Sequence, residues 1–133
     1  YIIHKQGFTD PKIIELNPNK IYISVPQAYT RCNLIEITKN TFITSDKGIY
    51  NTLTQNDLEC RFVTPEGIQL PPYKYGFIGG CMGKFENTIF INGSLSSHSE
   101  GDKIRTFIEK HSLELVELHD GSLYDGGGIL FHQ

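Results

Sequence analysis

The stretch TFITSDKGIYNTLTQNDLECRFV (residues 41–63) is answered further along by TIFINGSLSSHSEGDKIRTFIEKHSLELVEL (residues 88–118), and the pair decides the fold. Thr41 to Thr44 and Thr88 to Asn92 are β-branched or aromatic runs with strand character. Each follows a turn, Thr38 to Asn40 or Glu86 to Asn87, and each turn follows an earlier strand, Asn33 to Ile37 or Gly83 to Glu86. The first copy then predicts a helix from about Asp46 to Asn56, capped by Ser45 or Asp46, with Ile49, Tyr50 and Leu53 on one face. The second predicts a helix from about Gly101 to His111, with Ile104, Phe107 and Ile108 on one face. Glu100 and Asp102 stand near its positive end, Lys110 and His111 near its negative end.

Beyond the first helix, Leu58, Cys60 and Phe62 alternate with Glu59, Arg61 and Val63, the period of a strand with one wet face. Beyond the second, Leu113 and Leu115 alternate with Glu114, but Val116, Glu117 and Leu118 break the phase, which predicts a bulge or burial on both faces. Helical crossovers within a sheet are right-handed, so each unit is a compact ββαβ module. The fold class is α/β, with modules at about 33–64 and 79–119. Upstream, DPKIIELNPNKIYISV (residues 10–25) supplies the helix and last strand of a partial module at about 1–26, with YIIHK (residues 1–5) in place of its hairpin. Downstream, residues 127–132 are expected as a closing strand.

Composition bounds the function. The 133 residues, 38% hydrophobic and 20% charged, suit one domain with a core of its own. A net charge of -3 gives no general attraction to phosphate backbones, so nucleic acid is not an expected partner. No apolar run approaches the roughly 20 residues that cross a bilayer. Cys32, Cys60 and Cys81 lie far apart, which argues against a disulfide framework or zinc knuckle and for a reduced, cytoplasmic setting. His4, His98, His111, His119 and His132 have no metal-ligand spacing, and no metal or cofactor is expected. Tyr1 opens the chain and Met82 is its only methionine, which leads us to expect further sequence before Tyr1.

Successive ββαβ modules, KYGFIGG (residues 74–80) leading into a hairpin, and DGGGILFH (residues 125–132) together resemble the pentein superfamily of guanidino-group-modifying enzymes. SVPQAYTRC (residues 24–32) and ITSDKGIY (residues 43–50) are more similar to an uncharacterised bacterial branch of it. The resemblance implies an α/β propeller of five modules around a central ligand channel. Two full modules and a partial one leave that ring incomplete, so the chain resembles a C-terminal half, completed by an upstream segment or by a second chain in a homo-oligomer.

Pentein hydrolases use a Cys nucleophile, a His that shuttles protons and carboxylates that hold the cation. The Gly-His-x-Asp pattern of the family falls on Gly76, Phe77, Ile78 and Gly79, and the nucleophile slot falls on His132. With all three positions unfilled, the resemblance argues against deiminase or amidinotransferase activity, because a cooperating set loses most of its rate with any one member. Other residues stay open. Cys81 among Gly79, Gly80 and Gly83 is either a reactive thiol with His98 or His132 as base, or a small buried hydrophobe. Arg31 offers a planar fork for a carboxylate or phosphate, or forms a surface ion pair. Phe77 belongs to the channel end by resemblance, while Asp120 and Asp125 flank the glycine run as carboxylates for a cation or as plain turn residues. PEGIQLPPYKYGF (residues 65–77) reads as a stiff connector more than a lid. Two functions follow: a catalytically silent domain that binds a small polar or guanidino-type ligand or a protein partner, and a hydrolase using Cys81 with a distant His.

Overall fold

The structure, a computed structural model, describes residues 1–132. It is a mixed α/β arrangement of three small sheets, none of them closed. The central sheet begins with a hairpin, β3 (Leu34–Thr38) against β4 (Thr41–Thr44), whose register shifts between Glu36 and Thr38. Helix α3 (Lys47–Gln55) then returns the chain to β5 (Glu59–Phe62), which runs parallel to β4. The next sheet has the same order: β6 (Met82–Phe85) antiparallel to β7 (Thr88–Ile91), then α5 (Gly101–Glu109), then β8 (Glu114–Glu117) parallel to β7. Short helices lead into the two hairpins, α2 (Thr30–Asn33) and α4 (Ile78–Cys81). The remaining sheet has only two strands, β1 (Ile2–His4) and β2 (Tyr22–Ser24), parallel and joined through α1 (Pro11–Glu15).

Local chemistry explains these boundaries. Asp46 caps α3 by accepting from the Ile49 amide at 2.8 Å, which satisfies a donor the helix itself cannot. Asp10 does the same for α1 through Lys12, with Pro11 as the first helical residue. At α5 the cap position belongs to Glu100, but its carboxylate reaches across to the Thr64 amide at 2.7 Å and ties the helix start to the end of the central sheet.

Each long helix lies between two sheets. Ile49 and Leu53 of α3 are fully buried with Ile23 and Val25 on one side and Phe42 and Leu58 on the other. Ile104, Phe107 and Ile108 of α5 join the larger cluster, which includes Ile35, Ile43, Val63, Ile89 and Ile91. Strand β4 is therefore buried on both faces, Phe42 toward one cluster and Ile43 toward the other.

Three expectations need correction. Residues 127–132 form no strand: Gly127 and Gly128 take positive φ of 87° and 103°, and the amides of Gly126 and Gly128 both curl onto the Gly80 carbonyl. Strand β8 carries no bulge against β7. Its phase holds because Glu117 takes the inward position, accepting from the Leu95 amide at 2.8 Å and from Arg105 at 2.8 Å, while Val116 and Leu118 face out. Cys60, expected on the dry face of the strand with Leu58 and Phe62, is only partly buried against the smaller cluster.

Residues 65–77 connect the two sheets, and their one bridge joins Gln69 to Tyr124. None of them borders the cleft described next.

Candidate functional site

A cleft of about 970 Å³ opens where the first hairpin strands of the two sheets, β3 and β6, come side by side. Leu34, Phe42 and Phe85 give it an apolar floor. The chain end forms one wall, with the Phe131 ring 5.3 Å from Phe85 and 5.0 Å from Phe90. Ile3 and His4 of β1 form another. Four charged side chains border it: Arg31, Glu36, Lys84 and Glu86. Among the described residues none of the four is in an ion pair, although Glu59, Glu100 and Glu117 elsewhere each have a cationic partner within 4.0 Å. The cations are anchored by carbonyls instead. Lys84 donates to the Ile37 carbonyl at 2.6 Å, and Arg31 donates to Gly79 at 3.2 Å and to Ile129 at 3.4 Å. Both keep N–H groups to spare.

Arg31 is positioned by close packing. It leaves α2 and lies on the backbone of Gly128, where a Cβ would sit 2.7 to 2.9 Å from the guanidinium. Gly128 also takes a positive φ of 103°, a conformation that favours glycine. Arg31 thus holds α2, α4 and the chain end in one arrangement beside the cleft.

Asp125 is buried behind it. Its carboxylate accepts from the Phe77 amide at 2.9 Å and the Gly127 amide at 3.0 Å, with its side chain pressed against Gly76 and Gly80. The carboxylate staples α4 to the chain end, and both its oxygens are spent on backbone donors. Phe77 makes an edge contact with Tyr75 and does not border the cleft. Asp120 is exposed and also lies away from it. His132 is exposed at the chain end.

The thiol candidates are not poised for attack. Cys81 is fully buried, its Sγ donates to the Phe77 carbonyl at 3.4 Å, and burial together with the nearby Asp125 charge pushes its pKa well up. Burial also raises Cys32, reinforced by Asp125 and opposed by Arg31, and raises Cys60 to about 12. A thiol held protonated is a poor nucleophile. His98 is buried and committed: its Nδ1 accepts from the Glu100 amide at 3.1 Å, which leaves Nε2 to donate to the Thr64 carbonyl. Neither Cys81 nor His98 borders the cleft. No group of three His, Cys, Asp or Glu converges as a metal site would, among the described residues.

Of the sequence candidates, Arg31 alone borders the cleft, and Phe77 and Asp125 meet beside it. Glu36, Lys84, Glu86 and His4 were missed. The alternation of LIEIT (residues 34–38) was the available signal, since it places Glu36 opposite the buried faces of Ile35 and Ile37.

With fold and cleft defined, the class is a mixed α/β domain with an open, charge-lined cleft. The chain belongs to a family of unknown function, DUF6873, whose model matches residues 1–130. No curated protein and no solved structure matches it. No helix among the described residues is long and apolar enough to cross a membrane.

Proposed function

We propose that this protein is a pentein-like, catalytically silent binding domain whose cleft holds a small polar ligand of guanidino type. The observation that carries the reading is the cleft border: two carboxylates, Glu36 and Glu86, and two cations, Arg31 and Lys84, without ion-pair partners among the described residues. Such a border suits a ligand with a cationic group at one end and an anionic group at the other. The shared strand order of the two three-stranded sheets supports neighbouring blades of a propeller, with further modules supplied upstream or by a second chain. Three free thiols fit a cytoplasmic setting.

The silent reading is supported by the burial of Cys81 and the commitment of both His98 nitrogens. Calorimetry with arginine, agmatine and guanidinoacetate, followed by assay of the same mixtures for ammonia and citrulline, tests it. The reading expects saturable binding of at least one compound without product. Glu36→Gln should weaken that binding by about tenfold, or about 1.4 kcal/mol. Product formation, or failure of every compound to bind, overturns it.

A further inference from the structure

Glycine follows Asn or Asp at Asn92–Gly93, Asp120–Gly121 and Asp125–Gly126. In such pairs the side-chain carbonyl carbon and the next backbone nitrogen can close a five-membered imide, and glycine leaves that nitrogen uncrowded. The structure ties down two of the three. Asn92 donates its side-chain amide to the Tyr124 carbonyl at 3.0 Å, and Asp125 is buried with its carboxylate on the Phe77 and Gly127 amides. The third is open. Asp120 and Gly121 are exposed, and among the described residues no hydrogen bond or ion pair engages the Asp120 carboxylate.

A second observation concerns the nitrogen itself. The Gly121 amide donates to Nδ1 of His119 at 3.0 Å, which leaves the ring proton on Nε2. A base on the attacking N–H is what ring closure needs. The Gly126 amide, by contrast, is spent on the Gly80 carbonyl at 3.1 Å, which is no base for its proton. Asp120 and its neighbours thus bring a free carboxyl, an uncrowded nitrogen and a base together in one exposed turn of chain.

We infer that Asp120–Gly121 is a self-modification site, where His119 acts as general base for the conversion of Asp120 to isoaspartate. The Gly121 nitrogen bonds to Cγ of the protonated Asp120 carboxyl and gives its proton to His119 Nδ1. The Cγ hydroxyl then leaves as water, taking that proton back from His119. Water next opens the imide. Addition at Cγ restores aspartate, whereas addition at the Asp120 carbonyl carbon breaks the original peptide bond and leaves the chain running through Cγ. The backbone gains one atom just before a segment with fixed partners. Gly121 accepts from the Ser94 amide at 2.8 Å, Tyr124 donates to Asn92 at 3.0 Å, and Asp125 staples the chain end that walls the cleft. Modification therefore loosens that wall. The inference rests on this loop and is independent of the ligand.

Ageing of the 133-residue chain for several weeks at neutral pH and body temperature, followed by peptide mapping with electron-transfer fragmentation, tests it. Isoaspartate is expected at Asp120 and at neither Asn92 nor Asp125. It should form at least about tenfold faster than in a free peptide of residues 116–124, where His119 is not held on the amide. His119→Ala should bring the folded chain down to the peptide's rate or below it and melt like the parent, since the ring is exposed. Aged protein should melt lower than fresh protein in proportion to its isoaspartate content. A parent rate at or below that of the peptide, equal accumulation at Asp125, a rate indifferent to His119→Ala, or an aged chain that melts like the fresh one despite full conversion overturns the inference. The peptide comparison uses no variant, so it decides even where His119→Ala does not fold.

Discussion

Asp125 shows how much one residue does here. It is 4% exposed, it accepts from two backbone amides, and Gly76 and Gly80 leave room for it and for nothing larger. Asp125→Ala strands both amides and should cost about 2–4 kcal/mol, read as a lower melting temperature and denaturant midpoint. Gly80→Ala drives a methyl into the same carboxylate and should cost a similar amount. Cys81 gives a chemical counterpart. Iodoacetamide at neutral pH should leave it unlabelled in the native protein over a period that fully alkylates a free model thiol, and selective rapid labelling would contradict its burial. The thiols also predict an alkaline limit. The Cys60 pKa rises from 9.0 to about 12 on folding, so its contribution to stability is complete below pH 9 and is lost as pH climbs from there toward 12. Cys60→Ala should flatten that part of the stability profile. At the acid end, Lys110 first and then His111 hold Glu59 below its ordinary 4.5, giving stability that is present above that value and lost as pH falls through the lowered one. Because that pair is exposed, Lys110→Ala should change the acid slope only slightly.

Among the elements, the helices were the most legible. A period of 3.6 residues puts Ile49, Tyr50 and Leu53 on one face, of which Ile49 and Leu53 are buried, and Ile104, Phe107 and Ile108 on another that is buried throughout; of the two cap candidates, Ser45 and Asp46, the structure uses Asp46. Phe107→Asp should therefore cost about 3 kcal/mol or more, and Asp46→Ala about 1, both read by thermal melts. The strand after α5 was misread for a physical reason. Hydrophobicity marks Glu117 as outward, yet Arg105 and the Leu95 amide make an inward carboxylate stable. The chain end was misread for another: the strand signal of Ile129 to Phe131 is overridden by two glycines with positive φ and a loop gathered on the Gly80 carbonyl. Glu100 looked like a partner for the helix dipole and instead links α5 to Thr64. All of these contacts join residues more than ten positions apart, which local pattern does not contain.

At the scale of the molecule, the strand order within each sheet was readable because each ββαβ unit is local in sequence. The cleft was not, since it is bordered by β1, β3, β6 and the chain end, which only tertiary packing brings together. Arg31 was found from its chemistry; Glu36, Lys84 and Glu86 were passed over as ordinary strand residues. The pentein resemblance directed attention to Phe77 and His132, and the glycine run to Asp120; none of the three borders the cleft. The central claim is that the cleft binds a small charged ligand and does no chemistry on it. A two-dimensional amide NMR titration with agmatine and arginine tests this most directly, with ammonia and citrulline assayed in the same tube. The account predicts saturable shifts concentrated at Arg31, Leu34 to Glu36 and Lys84 to Glu86, with no product. Shifts confined to other surfaces, no shifts for either compound, or steady release of ammonia would contradict it.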